Sequence, residues 1–151
     1  MSSTATGTTT QSEQLLLVEV RGALYGLDTS AVREIVAVRS PTRLPGSPPW
    51  VLGLINLRGT LVTVADLVRR LSEDSVRSED ASMILVESLG RQLGVAVDDV
   101  RDVVHLDVEP LEATPSEVGA TSQRFVRGLG HFAGEVVIVL DVHELVRQTL
   151  V

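Results

Sequence analysis

The stretch GLINLRGTLVTVADL, residues 53–67, decides the fold class of this chain. Two β-rich runs meet there at Arg58-Gly59, and a two-residue junction ending in glycine between apolar runs predicts a β-hairpin. The run DLVRRL that follows indicates a short helix with Asp66 as its N-cap. Turn geometry explains the glycine, but it does not explain why a permanently charged Arg58 stands at the bend.

The same order of elements occurs twice along the chain. Residues 15–36 align without gaps with residues 83–104, and residues 53–71 align with residues 128–146. The second alignment also matches the glycine of the turn and the aspartate of the cap, at Gly59/Gly134 and Asp66/Asp141. A duplication of short strands and Gly-rich turns predicts a mainly β protein built from two similar small barrels.

Other parts of the sequence predict the boundaries of the domain and of its subdomains. Residues 1–13 lack apolar residues in any pattern and are predicted to be a disordered tail. Residues 14–151 form one domain, with a first subdomain over about 14–80 and a second over about 81–151, and strand exchange at the boundaries stays open. The run DTSAVREIV, residues 28–36, predicts a helical segment capped by Asp28 or Thr29, since Ala31, Val32 and Ile35 follow a helical spacing.

Composition argues against several classes of function. All 13 basic residues are arginine, the net charge is −7 and aromatic residues make up 3%. Nucleic-acid binding needs clustered positive charge and stacking rings, so we expect none. The absence of cysteine excludes thiolate catalysis and Cys-based metal sites. No apolar run approaches the roughly 18 residues of a membrane span, and the N-terminus lacks the features of a signal peptide, so a soluble intracellular protein is expected.

Enzyme motifs are incomplete. HELV, residues 143–146, begins like a zinc-protease helix, but Arg147 stands where the second histidine is required. The histidines His105, His131 and His143 show no short ligand spacing. We therefore predict no catalytic residue, no cofactor and no metal site.

The two halves serve as controls for each other. Gly59 and Asp66 have counterparts in the second half, so they are assigned to the fold. Arg58 aligns with Ala133, and Asn56 aligns with His131, so these two residues are candidates for function. For Arg58 three explanations stay open: a surface arginine lying on apolar residues, an ion pair with Glu34, or a contact to a partner protein.

Several motifs resemble the CheW domain of bacterial chemotaxis. They are V-x-E-I at residues 32–35, L-P-G-x-P at residues 44–48, G-x-x-N-L-R-G at residues 53–59, V-D-x-V-x-D-V at residues 97–103 and G-x-G at residues 128–130. The resemblance covers about residues 14–150. One departure is Thr63, where the family often has proline.

The resemblance implies two SH3-like five-stranded β-barrel subdomains packed together, with short helices including a C-terminal one. It implies a non-enzymatic adaptor that couples the cytoplasmic tips of chemoreceptors to the regulatory domain of a CheA-type histidine kinase. The protein would be monomeric alone and multimeric within cytoplasmic arrays at the membrane. The residues expected to bind partners are Val32, Glu34, Ile35, Gly53, Asn56, Arg58, Val100 and Val103.

Two alternatives remain at this point. One is a CheW-like adaptor of a kinase pathway outside chemotaxis, in motility or development. The other is a small-molecule-binding or enzymatic β-barrel, which predicts a sizeable pocket lined by converging polar groups and by His105 or His131.

Overall fold

A computed structural model describes residues 11–37, 41–67, 82–110 and 125–150. These described residues form ten strands, a 3₁₀ turn at Thr29–Ala31 and a C-terminal helix. The strands are β1 (Gln11–Val20), β2 (Ala23–Asp28), β3 (Val32–Ala37), β4 (Val51–Leu57), β5 (Thr60–Asp66), β6 (Ser82–Ser88), β7 (Arg91–Val97), β8 (Asp99–Pro110), β9 (Val126–Phe132) and β10 (Glu135–Leu140), and the helix is α1 (Val142–Thr149).

The strands form two five-stranded sheets. Barrel A is closed in the order β1-β2-β10-β9-β8, and sheet B has the order β3-β6-β7-β5-β4. Within them, only the neighbours β2/β10 and β5/β7 are paired in parallel. The predicted fold class, mainly β with two similar five-stranded units and a C-terminal helix, is confirmed.

Each sheet takes strands from both halves of the chain. Barrel A joins β1 and β2 of the first half to three strands of the second, and sheet B joins β6 and β7 of the second half to three strands of the first. The predicted division near residue 80 therefore does not separate the two sheets. Because the halves are similar in sequence, a strand of one half fits the place of its counterpart in the other.

One isolated bridge joins β4 of sheet B to the segment that follows β3. Thr42 and Leu54 exchange two backbone hydrogen bonds of 2.8 and 2.9 Å, beyond the end of β3. The corresponding pair in barrel A is Glu109 with Leu129, where β8 meets β9. In barrel A this pairing joins two strands and closes the sheet, whereas in sheet B the described residues show an isolated bridge at the equivalent place.

The four tight hairpins within the described ranges share one turn geometry. The residue before the glycine has φ near +50° in each of them, and the glycine has φ between 78° and 87°. Two successive positive φ values define the type I′ turn, whose twist matches that of paired strands. The four turns are Arg21-Gly22, Arg58-Gly59, Leu89-Gly90 and Ala133-Gly134. The predicted hairpin at residues 58–59 is therefore confirmed.

One apolar core lies between the two sheets and holds them together. Its fully buried members come from both sheets, for example Leu16 and Val18 of β1 and Ile84 and Val86 of β6. Helix α1 adds Leu145 and two valines to the same core. We call this cluster the shared core; barrel A and sheet B each also enclose a smaller core of their own.

Two sequence predictions differ from the structure, and a third falls mostly outside the described residues. The predicted tail is wrong for residues 11–13, because β1 begins at Gln11 and pairs with β8 from there. The predicted helix over residues 28–36 is wrong beyond Thr29–Ala31, although Asp28 does cap that turn. β3 instead alternates half-buried and exposed residues along its pairing with β6. The predicted helix after Asp66 falls mostly on residues 68–71, outside the described residues.

Candidate functional site

Val32 and Val100 occupy equivalent places in the two halves. Val32 opens β3 just after the chain has crossed from barrel A to sheet B, and Val100 lies at the start of β8 after the reverse crossing. Both side chains are half-buried and pack against the shared core. The two predicted residues therefore flank the junction of the sheets.

Ile35 and Val103 are also equivalent, and both are exposed apolar residues. Their exposed fractions are 47% and 52%. Their cross-strand partners are Ile84 and Leu16, which belong to the shared core. Since directly opposed residues of an antiparallel pair lie on the same face, Ile35 and Val103 extend that core outward to solvent. We call these four residues, Val32 and Ile35 on sheet B and Val100 and Val103 on barrel A, the inter-sheet face.

Arg58 forms an ion pair with Glu34. Its Nη2 donates to Glu34 Oε1 at 2.5 Å, which connects the β4–β5 hairpin to β3. This hydrogen bond holds the pKa of the Glu34 carboxyl below its usual range and raises the pKa of Arg58. The Arg58 side chain is nevertheless 71% exposed. A guanidinium has five N–H donors, so the pair with Glu34 leaves donors directed at solvent.

Asn56 and Gly53 have structural explanations in the same hairpin. The Oδ1 of Asn56 accepts a hydrogen bond from the Gly59 amide at 2.8 Å, which closes the turn. Gly53 has φ 142°, and a Cβ at this position would lie 2.2 Å from the Thr42 carbonyl oxygen. Glycine is therefore required for the close approach of Thr42 to β4, where Thr42 bridges to Leu54.

A cleft of about 260 Å³ lies where β2, β6 and β9 approach the start of α1. Its charged groups already have partners within the protein. Asp28 accepts from Ser30, Asp141 accepts from the Glu144 amide at the start of α1, and Glu87 pairs with Arg33. Arg127 makes two hydrogen bonds to Glu13, at 2.9 and 2.5 Å. These contacts assign the polar groups of the cleft to the fold.

The histidines do not converge on this cleft as the barrel-enzyme alternative requires. His143 lines it, and its Nδ1 lies 2.9 Å from Ser88 Oγ, whereas His105 and His131 are exposed on other strands. Across the described ranges, no three His, Cys, Asp or Glu side chains come together as a metal site would need. Nor does that part of the chain contain a helix long and apolar enough to cross a bilayer.

Sequence reasoning missed two exposed leucines, Leu61 and Leu89. Leu61 is the second residue of β5, Leu89 lies at the bend between β6 and β7, and the two side chains are 66% and 82% exposed. The signal was present for Leu89, because it precedes a turn glycine at a position where asparagine or aspartate is preferred. It also missed Glu13, which lay inside the predicted tail.

Comparison with known families identifies one match over most of the chain. A family model described as the CheW-like domain matches residues 14–150. The chemotaxis protein CheW of Klebsiella aerogenes is 28% identical over 137 residues, which cover 90% of this chain and 82% of that protein. The protein PilI of Pseudomonas aeruginosa is 30% identical over 111 residues, which cover 73% of this chain and 62% of that protein.

A solved structure has the same fold. The crystal structure of the scaffolding protein TtCheW from Thermoanaerobacter tengcongensis superposes with a TM-score of 0.77 at 32% sequence identity. The match covers 89% of this chain and 92% of that one.

Proposed function

Since this chain belongs to the CheW-like domain family, we propose that it is a non-enzymatic signalling adaptor that couples the cytoplasmic tips of chemoreceptors to the regulatory domain of a CheA-type histidine kinase. On this proposal the protein is cytoplasmic and reaches membrane-associated receptor arrays through its partners. The family match over residues 14–150, and not any single residue, carries the proposal.

The inter-sheet face is the proposed apolar part of the partner-binding surface. Ile35 and Val103 leave apolar surface in water, and burial of such surface against a partner is favourable by about 25 cal/mol per Å². Val32 and Val100 pack against the shared core, so these two side chains are already ordered before binding. Pre-ordered side chains lose little entropy on association, which favours binding.

The hairpin of β4 and β5 is the proposed polar part of that surface. Arg58 is held in place by Glu34, and its remaining donors suit a carboxylate or a row of backbone carbonyls on a partner. Asn56 and Gly53 contribute by shaping this hairpin, Asn56 through the turn and Gly53 through the contact with Thr42. We assign them an indirect role in binding.

Coupling of two partners follows from the interleaved fold. Val103 belongs to barrel A and Ile35 and Arg58 belong to sheet B, so different partners can contact different sheets of one body. The shared core transmits a displacement of one sheet to the other, because packed interiors are close to incompressible. Individual contacts are expected to be of modest affinity, and an array of many copies reinforces them through multivalency.

The test is binding of the full chain to the regulatory domain of the cognate kinase and to a receptor tip fragment, measured by calorimetry. Ile35→Ser and Val103→Ser remove the exposed apolar groups and should weaken at least one partner tenfold or more. Val136→Ser, which changes a 39% exposed valine elsewhere on barrel A, is the matched control. Wild-type protein that binds neither partner would refute the proposed function.

A second set of variants addresses Arg58. Arg58→Ala removes both the ion pair and the outward donors, whereas Glu34→Gln removes only the charged partner. If Arg58 binds a partner directly, the alanine variant loses affinity and the glutamine variant retains it. Equal losses of affinity in both variants would instead show that Arg58 acts by holding the hairpin to β3 through Glu34.

The second candidate is an adaptor of the same family in a kinase pathway outside chemotaxis. It is favoured by the 30% identity to PilI, whose name, unlike those of the CheW relatives, does not refer to chemotaxis. The same binding assay with kinases and receptors of each pathway in the source organism distinguishes the two candidates.

A further inference from the structure

Two hairpin bends lie side by side at one end of sheet B. β5 and β7 are parallel neighbours, with Val64 opposite Gly94, so the bends that precede them fall at the same end. Leu89 at one bend and Leu61 beside the other are the most exposed large apolar side chains of the described residues, at 82% and 66%. Two leucines in water at one end of a sheet are an unusual arrangement, since isolated exposed apolar residues are the norm.

Leu89 also has an unfavourable backbone conformation. Its φ is 53°, in the left-handed region that asparagine, aspartate and glycine adopt far more readily. A leucine here neither relieves strain nor packs into the core. The turn requires this conformation, as it does at the other three bends, but nothing in the turn requires a leucine side chain there.

Basic side chains surround this leucine. A groove of about 120 Å³ runs between the β6–β7 bend and α1, and it is lined by Leu89, Arg91, His143, Val146 and Arg147 together with Ser88. Arg91 donates to the Leu150 carbonyl, and Arg147 pairs with Glu144 at 2.8 Å. Arg147 remains 58% exposed. Counting back from the ladder of β5 and β7 places Leu61 beside Arg91 on the same face.

Among the described residues that line this groove, the charged side chains Arg91 and Arg147 are basic. Arg91 and Arg147 contribute two positive charges and Glu144 one negative charge, whereas the chain carries −7. Arg58, on the neighbouring bend, is paired with Glu34. An exposed apolar pair bordered by arginines matches a partner segment that combines acidic and apolar side chains.

We propose that Leu61, Leu89, Arg91 and Arg147, the hairpin-end surface, form a second docking site, which binds an acidic segment of a partner protein carrying an apolar side chain. This site shares no residue with the inter-sheet face, and Arg58 lies on the bend beside Leu61. Leu89 inserts an apolar side chain into the partner, and Arg91 and Arg147 contact its carboxylates. Such contacts make binding weaker at higher salt concentration.

The test compares Leu89→Asn with Ala133→Asn in the full chain. Both variants place asparagine at the same position of a type I′ turn, where φ is 53° and 52° in the wild type. Both should keep or raise the melting temperature. Only Leu89→Asn should weaken binding, tenfold or more, to the kinase regulatory domain or to the receptor tip fragment. Leu61→Thr, which retains a strand-forming residue, should weaken the same interaction.

This inference rests on the proposed function for the choice of the two probe proteins, and the possible outcomes distinguish failure of one from failure of the other. Wild-type protein that binds neither probe refutes both proposals. Wild-type binding that Leu89→Asn and Leu61→Thr leave unchanged refutes the hairpin-end surface alone. A loss confined to self-association, measured by sedimentation, assigns the surface to a second copy of the chain and also overturns the proposal. Loss of affinity for one probe, together with a smaller salt dependence in Arg147→Gln, supports it.

Discussion

Substitution of Gly53 by alanine tests the bridge between Thr42 and Leu54 at the β4 edge of sheet B. The added Cβ would lie 2.2 Å from the Thr42 carbonyl oxygen and 2.7 Å from its carbon, both backbone atoms that cannot rotate away. Alanine at φ 142° costs about 1–3 kcal/mol in backbone strain. Displacement of the opposing strand adds about 1–3 kcal/mol, as overpacking does. We therefore expect a loss of at least about 2 kcal/mol in the free energy of unfolding.

The matched control for this experiment is Gly59→Ala. Gly59 also has positive φ, at 87°, but an added Cβ there meets nothing within 4 Å. The control should lose only about 1–2 kcal/mol, the cost of a left-handed L-residue. Urea unfolding gives both free energies, and for a chain of this size each kcal/mol lowers the melting temperature by about 2–4 °C. Gly53→Ala that is no less stable than Gly59→Ala would refute the contact between Thr42 and Leu54.

Two further predictions concern charged groups. Glu13→Gln should lower the free energy of unfolding by about 1–2 kcal/mol in urea titrations, because it removes a charge-assisted, two-bond contact to the half-buried Arg127. The control Glu19→Gln, at an exposed pair with Arg101, should change this free energy by less than about 1 kcal/mol. Equal effects of the two variants would contradict the assignment of Glu13 to the fold. Hydrogen bonds from Arg147 and Gln148 lower the pKa of Glu144 to about 2. The contribution of the Glu144 carboxylate to stability is therefore complete above pH 4.5 and is lost as the pH falls towards 2. The difference in melting temperature between wild type and Glu144→Gln should shrink over that range, and a constant difference would contradict the lowered pKa.

The hairpins were predictable because turn chemistry is local. A residue pair ending in glycine between apolar runs requires no knowledge of the rest of the chain, and Arg58-Gly59 turned as predicted. The cap at Asp141 was equally local, since its side chain accepts from the Glu144 amide. The helix predicted over residues 28–36 failed because a short apolar run fits both a helical and an alternating pattern. Pairing with β6 decided in favour of a strand.

The exchange of strands between the halves could not be predicted from the sequence, because equivalent strands of two similar repeats have the same apolar pattern. β1 pairs with β8, although β3 is the equivalent strand of its own half. Nothing in the apolar pattern distinguishes the two partners. The three-residue turn at Thr29–Ala31 directs β3 away from barrel A and towards β6. The path of the chain between the sheets therefore determines which strand β3 pairs with.

The candidate site was partly predictable for a similar reason. Comparison of the halves selected Arg58 and Asn56, and the structure gives the first an ion pair and the second a turn-closing hydrogen bond. The ion pair between Arg58 and Glu34 was one of the three explanations open at the start. The exposure of Ile35, Val103, Leu61 and Leu89 could not be predicted, because it depends on which faces the two sheets bury against each other.

The most direct test of the central claim is a three-component measurement. The full chain is mixed with the kinase regulatory domain and a receptor tip fragment, and the complexes are resolved by sedimentation velocity. An adaptor should yield a ternary complex that forms only when this protein is present, and that Ile35→Ser or Val103→Ser weakens. Binding to only one partner, or to neither, would contradict the coupling role.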